Sequence, residues 1–410
     1  MKRTLHGMLI LAAVFLLHVP AALAQVDRAT LSGVVKDTGG GVVPGATVVV
    51  TNLATNVAAQ EVTTATGSYQ VVNLIPGRYR IDVELTGFKK VSQVVTLEVG
   101  QRARLDVELA VGSLSETVTV TETPQLLNSN DATLGTVIPQ IQVANLPLAI
   151  RNWDDLLALV PGVEGDRYTE QGGGTSFGRT GGINVHGARA LQNNFLLDGV
   201  DNNSISENVQ ELTTQVSRPS VDAIQEFKVV TSPYSAEYGR SPGAAVSVST
   251  KSGTNGFHGT GYEYFRNDKM DTNDFFSIRA GSPKPANDQN QYGGNLGGPV
   301  VKDHGFFFTD YEGTRITRGV TRITRVPTAD ERAGIFSAAV RDPLTGLPFA
   351  NNTIPQGRID PYAAAIIGLV PLPNQPGANN FFRTGDLIDN SDRWLGRADY
   401  KPTEIGRAHV

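Results

Sequence analysis

Cysteine is absent from the 410 residues. That excludes disulfides, thiol nucleophiles and zinc–thiolate sites. Histidine occurs six times, at His6, His18, His186, His258, His304 and His409. The three away from the chain ends are far apart in sequence, which argues against a histidine metal centre or a Ser-His-Asp hydrolase. Charged residues make up only 18%, below the usual ~25%. Acidic residues outnumber basic ones by 40 to 35, so there is no excess of positive charge for a nucleic-acid face. After the first two dozen residues no apolar run approaches the ~20 residues that a spanning helix needs. What is plentiful is glycine, at 44, with 22 prolines. A turn-rich, charge-poor chain favours many short strands, and its length suggests two or three domains.

The N-terminus carries Lys2 and Arg3, an unbroken apolar run from Met8 to Leu17, then Pro20 and Ala22-Leu23-Ala24. This three-part pattern is that of a secretory signal over residues 1–24, with cleavage expected before Gln25. The run is short for a membrane anchor. The chain is therefore expected to be exported. With no later spanning helix, any passage through a membrane must use a barrel.

Residues 25–112 read as a small β-sandwich. Tyr79, Ile81, Val83 and Leu85 alternate with Arg78, Arg80, Asp82 and Glu84. Leu105, Val107 and Leu109 alternate with Arg104, Asp106 and Glu108. Period two marks half-buried strands. Gly39-Gly40-Gly41, Pro44-Gly45 and Pro76-Gly77 supply the turns. The series Gly33-Val-Val-Lys-Asp37, Val43-Pro-Gly-Ala-Thr-Val48, Gly67-Ser-Tyr69, Asn73-Leu-Ile-Pro-Gly77 and Gly87-Phe88 resembles the carboxypeptidase regulatory-like domain, of the carbohydrate-binding-like sandwich superfamily. The resemblance implies a spacer or docking module, and no cluster of exposed aromatic residues marks a sugar platform.

Residues 113–124 hold a short extended stretch, Glu116, Thr117, Val118, Thr119, Val120 and Thr121, ending before Pro124. By pattern alone it is one more strand. It also resembles the energy-coupling box of TonB-dependent outer-membrane receptors. That resemblance implies a TonB-type energy-coupling protein as partner, which would add a strand to the segment through main-chain bonds.

Residues 125–253 read as a mixed α+β domain. Asn152 can cap a helix from Trp153 to Val160, with Asp154 and Asp155 in its first turn and Pro161-Gly162 as its stop. Then come Gly187 and Arg189, the turn Asp198-Gly199, the strand Val221–Thr231, the turn Glu237-Tyr238-Gly239-Arg240, and Val246-Ser-Val-Ser-Thr-Lys251. This order resembles the plug domain of TonB-dependent receptors. Asp222-Ala-Ile-Gln-Glu-Phe227, together with the sandwich in front, points to the Oar-like branch. Asp198-Gly-Val-Asp-Asn-Asn203 reads as a plain turn, since a calcium loop wants its glycine at the sixth position. Arg189 and Arg240 are candidates for contacts with carboxylates on a barrel wall.

Residues 254–403 read as the first strands of a transmembrane β-barrel. Tyr262 and Tyr264 alternate with Gly261, Glu263 and Phe265. Further strands are expected at Asn290–Val300 and Gly305–Arg315, and alternation resumes from Asp392 to Lys401. Between them residues 319–390 suit a long external loop with a short helix at Tyr362–Val370. Plugged transporters use about 22 strands of about 9–11 residues each, far more than the residues after Gly253 provide. The barrel is thus expected to be truncated. Residues 404–410 resemble translated sequencing-adapter DNA and are expected not to be native.

The expected fold is mainly β: a sandwich, an α+β plug and the start of a barrel. The expected location is the cell outer membrane, with the sandwich in the periplasm. The expected function is TonB-dependent transport of a solute, with carbohydrate and peptide as the classes considered. A surface adhesin or structural protein, or a glycan-binding module built on the sandwich, is the alternative. No nucleophile–base pair, phosphate loop or metal-ligand cluster is visible, so neither an enzyme nor a cofactor is expected. Outer-membrane lipid is the other expected partner, and nucleic acid is not.

Overall fold

The computed structural model describes residues 27–112, 117–120, 134–148, 151–165, 183–188, 192–203, 215–232, 243–273, 275–279 and 284–401. The expected signal and the suspect tail both lie outside these residues. The chain divides into two compact units. One comprises Met1–Tyr262, Gly293–Glu312 and Asp392–Val410; the other comprises Glu263–Tyr292 and Gly313–Ser391.

In the first unit the sandwich is built from two sheets. One contains β1 (Ala29–Asp37), β4 (Ser68–Leu74), β7 (Arg102–Arg104) and β8 (Val107–Leu109). The other contains β2 (Thr47–Asn52), β3 (Ala58–Val62), β5 (Gly77–Glu84), β6 (Lys90–Leu97) and β9 (Thr117–Val120), in the order β3-β2-β5-β6-β9. Leu31, Val48, Val50, Ile81, Val83, Val95 and Leu109 are fully or almost fully buried between them. Each such side chain contributes roughly 1.5–3 kcal/mol relative to exposure. Gly33 is needed for this packing, because a Cβ there would lie 1.8 Å from the Leu105 carbonyl oxygen. The buried phenols are satisfied: Tyr69 donates to the Leu105 carbonyl and Tyr79 to the Ile75 carbonyl, each at 2.7 Å. Asp82 departs from the expected outward set and is buried. It sits on a central strand under Arg80 (3.0 Å) and Lys90 (3.8 Å).

The segment expected as plug forms a five-stranded sheet with the order β10-β15-β16-β13-β14. Its members are β10 (Leu134–Pro139), β13 (Asn194–Leu197), β14 (Val200–Asp201), β15 (Ile224–Ser232) and β16 (Ala245–Thr250). A separate pair joins β11 (Val163–Gly165) to β12 (Ile183–Val185). Trp153 fills the core, with ring centroids 5.2 Å from Phe227 and 6.5 Å from Phe195. The expected helix is a 3-10 helix, Trp153–Leu159, and Asn152 at its start makes no side-chain cap bond. Its seven residues make it longer than the short pieces in which this tighter winding is usually found. Asp154 and Asp155 lie in its first turn, as expected, and Asp154 is buried.

The remaining strands are β17 (His258–Arg266), β18 (Asn287–Val301), β19 (Gly305–Thr324) and β20 (Phe381–Tyr400), paired in chain order. They are longer than the sequence pattern indicates: β19 runs past Arg315 to Thr324, and β20 begins at Phe381. The connection between β19 and β20 is therefore 325–380. Alternation explains which face is which. Phe306, Phe308, Asp310 and Glu312 are buried, whereas Trp394 and Tyr400 are 76% and 74% exposed on the opposite face. Polar or packed inside and aromatic outside is the pattern of an outer-membrane wall.

In the second unit the connection is held by its own polar contacts. Thr328 and Glu331 form a capping box, and the Arg358 guanidinium grips Asp342 at 2.8 and 3.1 Å. The helix is Pro361–Leu369, and the Asp360 carboxylate accepts the Tyr362 and Ala363 N–H groups. Among the described residues no helix is long and apolar enough to cross a membrane.

Candidate functional site

Three sets of contacts bear on the coupling stretch and the plug segment. The first concerns the coupling stretch. Thr117–Val120 is extended, as its Thr/Val alternation requires, and pairs in parallel with β6: Lys90 with Thr117, Val91 with Val118, Ser92 with Thr119 and Gln93 with Val120. The stretch is thus both a sandwich strand and the candidate coupling segment. β9 ends its sheet, and no strand pairs with its outer edge among the described residues. Glu116 and Thr121 lie outside the described residues.

The second set ties the plug segment to the strand sheet. Asp198 and Gly199 form the two-residue turn between β13 and β14, with φ of +48° and +79°. Two positive φ values define the tight hairpin turn that Asp-Gly favours. The Asp198 carboxylate then accepts the Thr250 N–H (2.9 Å) and hydroxyl (2.6 Å). Arg397 on β20 reaches the same place: its Nη1 donates to the Thr250 carbonyl at 2.9 Å and to Asp198 at 3.3 Å. Arg397 is held by Asp399, which accepts from Nε (2.8 Å) and Nη2 (3.1 Å). Nearby, the Ser220 hydroxyl donates to Asp310 of β19 at 2.6 Å and also accepts the Ala223 N–H. Arg151 pairs with Asp222 and stands 5.2 Å over the Tyr262 ring of β17. On the wall itself, buried Glu312 accepts from Tyr262 (3.2 Å) and Arg393 (3.0 Å).

The plug arginines expected on wall carboxylates are Arg189 and Arg240. Both lie outside the described residues, as do Glu237, Tyr238 and Gly239. Gly187 is described, in a turn with φ of +80° after β12. The contacts that are seen partly reverse the polarity: a wall arginine, Arg397, meets a plug carboxylate, Asp198. Asp310 and Glu312 were missed. Their signal was the parity of β19, where Phe306, Phe308, Asp310 and Glu312 share one face and the charges follow the buried rings.

The third set joins sandwich and plug segment. Glu226 on β15 accepts the Val99 N–H, and Lys228 Nζ donates to the Gly100 carbonyl at 3.3 Å. Burial raises the Glu226 pKa to about 7. The Val99 N–H bond and the nearby Lys228 oppose that rise, and Glu98 adds to it. Inside the plug segment, buried Asp154 is paired with Arg218 at 2.8 Å. Burial raises its pKa, against the attraction of Arg218.

Family models match these regions in turn. A carboxypeptidase regulatory-like domain matches residues 30–110, a TonB-dependent receptor plug domain 130–246, and an outer membrane beta barrel domain 249–409. Segment by segment, the chain is similar to TonB-dependent outer-membrane receptors. It is 27% identical over 326 residues to the TonB-dependent transporter Oar of Myxococcus xanthus, covering 76% of this chain and 29% of that protein. The chain therefore spans under a third of the length of that curated relative. Among solved structures, the siderophore receptor PirA from Acinetobacter baumannii aligns with 46% of this chain and 28% of its own, at 21% identity and a TM-score of 0.34. The outer membrane transporter YddB from Escherichia coli aligns with 48% and 28%, at 20% identity and a TM-score of 0.34.

Proposed function

We propose that the complete protein is an energy-coupled transporter that admits a solute through a plugged outer-membrane barrel. The sandwich faces the periplasm, and a TonB-type protein pulls on Glu116–Thr121. The observation that carries this reading is the seat of the plug segment on the strand sheet. Asp198–Arg397 and Ser220–Asp310 are polar contacts, and a polar seat can open into water at low net cost. An apolar one could not.

The pull supplies conformational work and no covalent chemistry. An inner-membrane potential provides about 2.3 kcal/mol per charge per 100 mV. A few such increments match the handful of hydrogen bonds in the seat, each worth about 1 kcal/mol net and up to about 3 where a charge takes part. Arg189, Gly187 and Glu237–Arg240 then belong to the plug, and solute choice lies with its outer face and the external connections.

The test is deletion of residues 116–121 in the complete gene. Potential-dependent accumulation of solute, screened among carbohydrates and peptides of the growth medium, should fall to background while surface assembly stays normal. Unchanged accumulation would favour a surface structural role.

A further inference from the structure

The parallel pairing of β9 with β6 bears on how a partner takes hold of the coupling segment. A strand at the end of a sheet has two edges. One edge of Thr117–Val120 is occupied by Lys90–Gln93. The other carries no strand among the described residues. Ordering a free segment into a strand costs conformational entropy at every residue. Here the sandwich has already met that cost for the four paired residues.

We propose that the sandwich presents the coupling strand: an extended segment of the energy-coupling protein adds to the outer edge of β9 while β9 stays paired with β6. This rests on the functional reading above and gives the sandwich a part in it. The occupant is a strand, because an unpaired edge offers alternating N–H and C=O groups that only another extended backbone matches.

The competing route takes β9 off the sandwich before the partner binds. It must break the four-residue pairing and leave β6 as a bare edge. Addition to the outer edge breaks nothing. Partner binding by addition also leaves the sandwich attached to the plug segment through Val99–Glu226 and Gly100–Lys228. A pull on β9 would then load β15 through the sandwich as well as through the chain.

The absence of cysteine gives a clean test. Ser92 and Thr119 are register partners. Neighbouring strands bring such Cα atoms within the range a disulfide accepts. The double substitution Ser92→Cys/Thr119→Cys, made in the complete protein, locks β9 to β6 when oxidised and frees it when reduced. The probe is the purified periplasmic domain of the host's energy-coupling protein, titrated against both forms. The proposal predicts equal affinity for the two forms, within about two-fold. A loss of ten-fold or more on oxidation, reversed by reductant, would overturn presentation while leaving the coupling reading intact. Failure of both forms to bind would remove the coupling reading itself, and presentation with it. Failure of the disulfide to form would show that β9 does not sit on β6 and would also overturn the proposal.

Discussion

The sandwich and the seat of the plug segment bury different kinds of atom. Between the sandwich sheets lie the apolar side chains of Leu31, Val50, Ile81, Val83 and Leu109. Where the plug segment meets the strand sheet lie Asp198, Arg397, Ser220 and Asp310, with Glu312 buried beside them. Apolar burial is non-directional, and separating it exposes surface that water disfavours. A hydrogen bond exchanged for one to water costs far less. Separating the first region in water therefore costs more than separating the second.

The sharpest way to break this contrast is inside the plug segment. Arg218→Ala would leave Asp154 buried without its ion-pair partner, which costs about 3–5 kcal/mol. Chemical denaturation should show the loss in the plug transition and leave the sandwich transition unmoved. In the sandwich, Leu31→Ala should cost about 2–5 kcal/mol, read the same way and without salt dependence. Arg397→Met keeps the stem and removes the charge from Asp198 and Thr250. Because Asp198 is about a third exposed, the expected cost is smaller, about 2 kcal/mol. It should appear as faster proteolysis of the plug segment with the sandwich unaffected.

A subtler probe is the junction between the two regions. Glu226 is raised from its usual 4.5 to about 7 by burial. The docked carboxyl therefore holds a proton that an exposed one releases. Docking is tightest below about pH 4.5, weakens as pH rises toward 7, and changes little above that. Glu226→Gln keeps an acceptor for the Val99 N–H and should flatten this dependence, measured as hydrogen exchange at Val99 and Gly100 across that range. A slope that persists in the variant would place the titrating group elsewhere.

Much of this was legible in the sequence where local pattern decides structure. The alternation of Tyr79, Ile81 and Val83 gave β5, and Asp198-Gly199 gave a hairpin turn whose two positive φ values few other residue pairs accept. Strand lengths were harder. Beyond Arg315 the aromatics stop, yet the backbone pairing of β19 continues to Thr324, because a ladder needs no particular side chain. The Arg397–Asp198 contact joins residues 199 apart in the chain, so no window of sequence could reveal it. The same holds for β9, whose place on β6 depends on how the chain turns back after β8. The first-turn place of Asp154 was legible, but its burial was not, because only the fold shows that this turn faces inward.

The central claim is that the stretch at Thr117–Val120 is where the coupling protein takes hold. The most direct measurement is disulfide capture in energised cells, between Val118→Cys of the complete protein and a cysteine on the coupling protein's periplasmic domain. Glu108→Cys, on an exposed position of the sandwich, serves as the reference. The account predicts capture at position 118 and none at 108. Equal capture at both positions, or none at either, would contradict it.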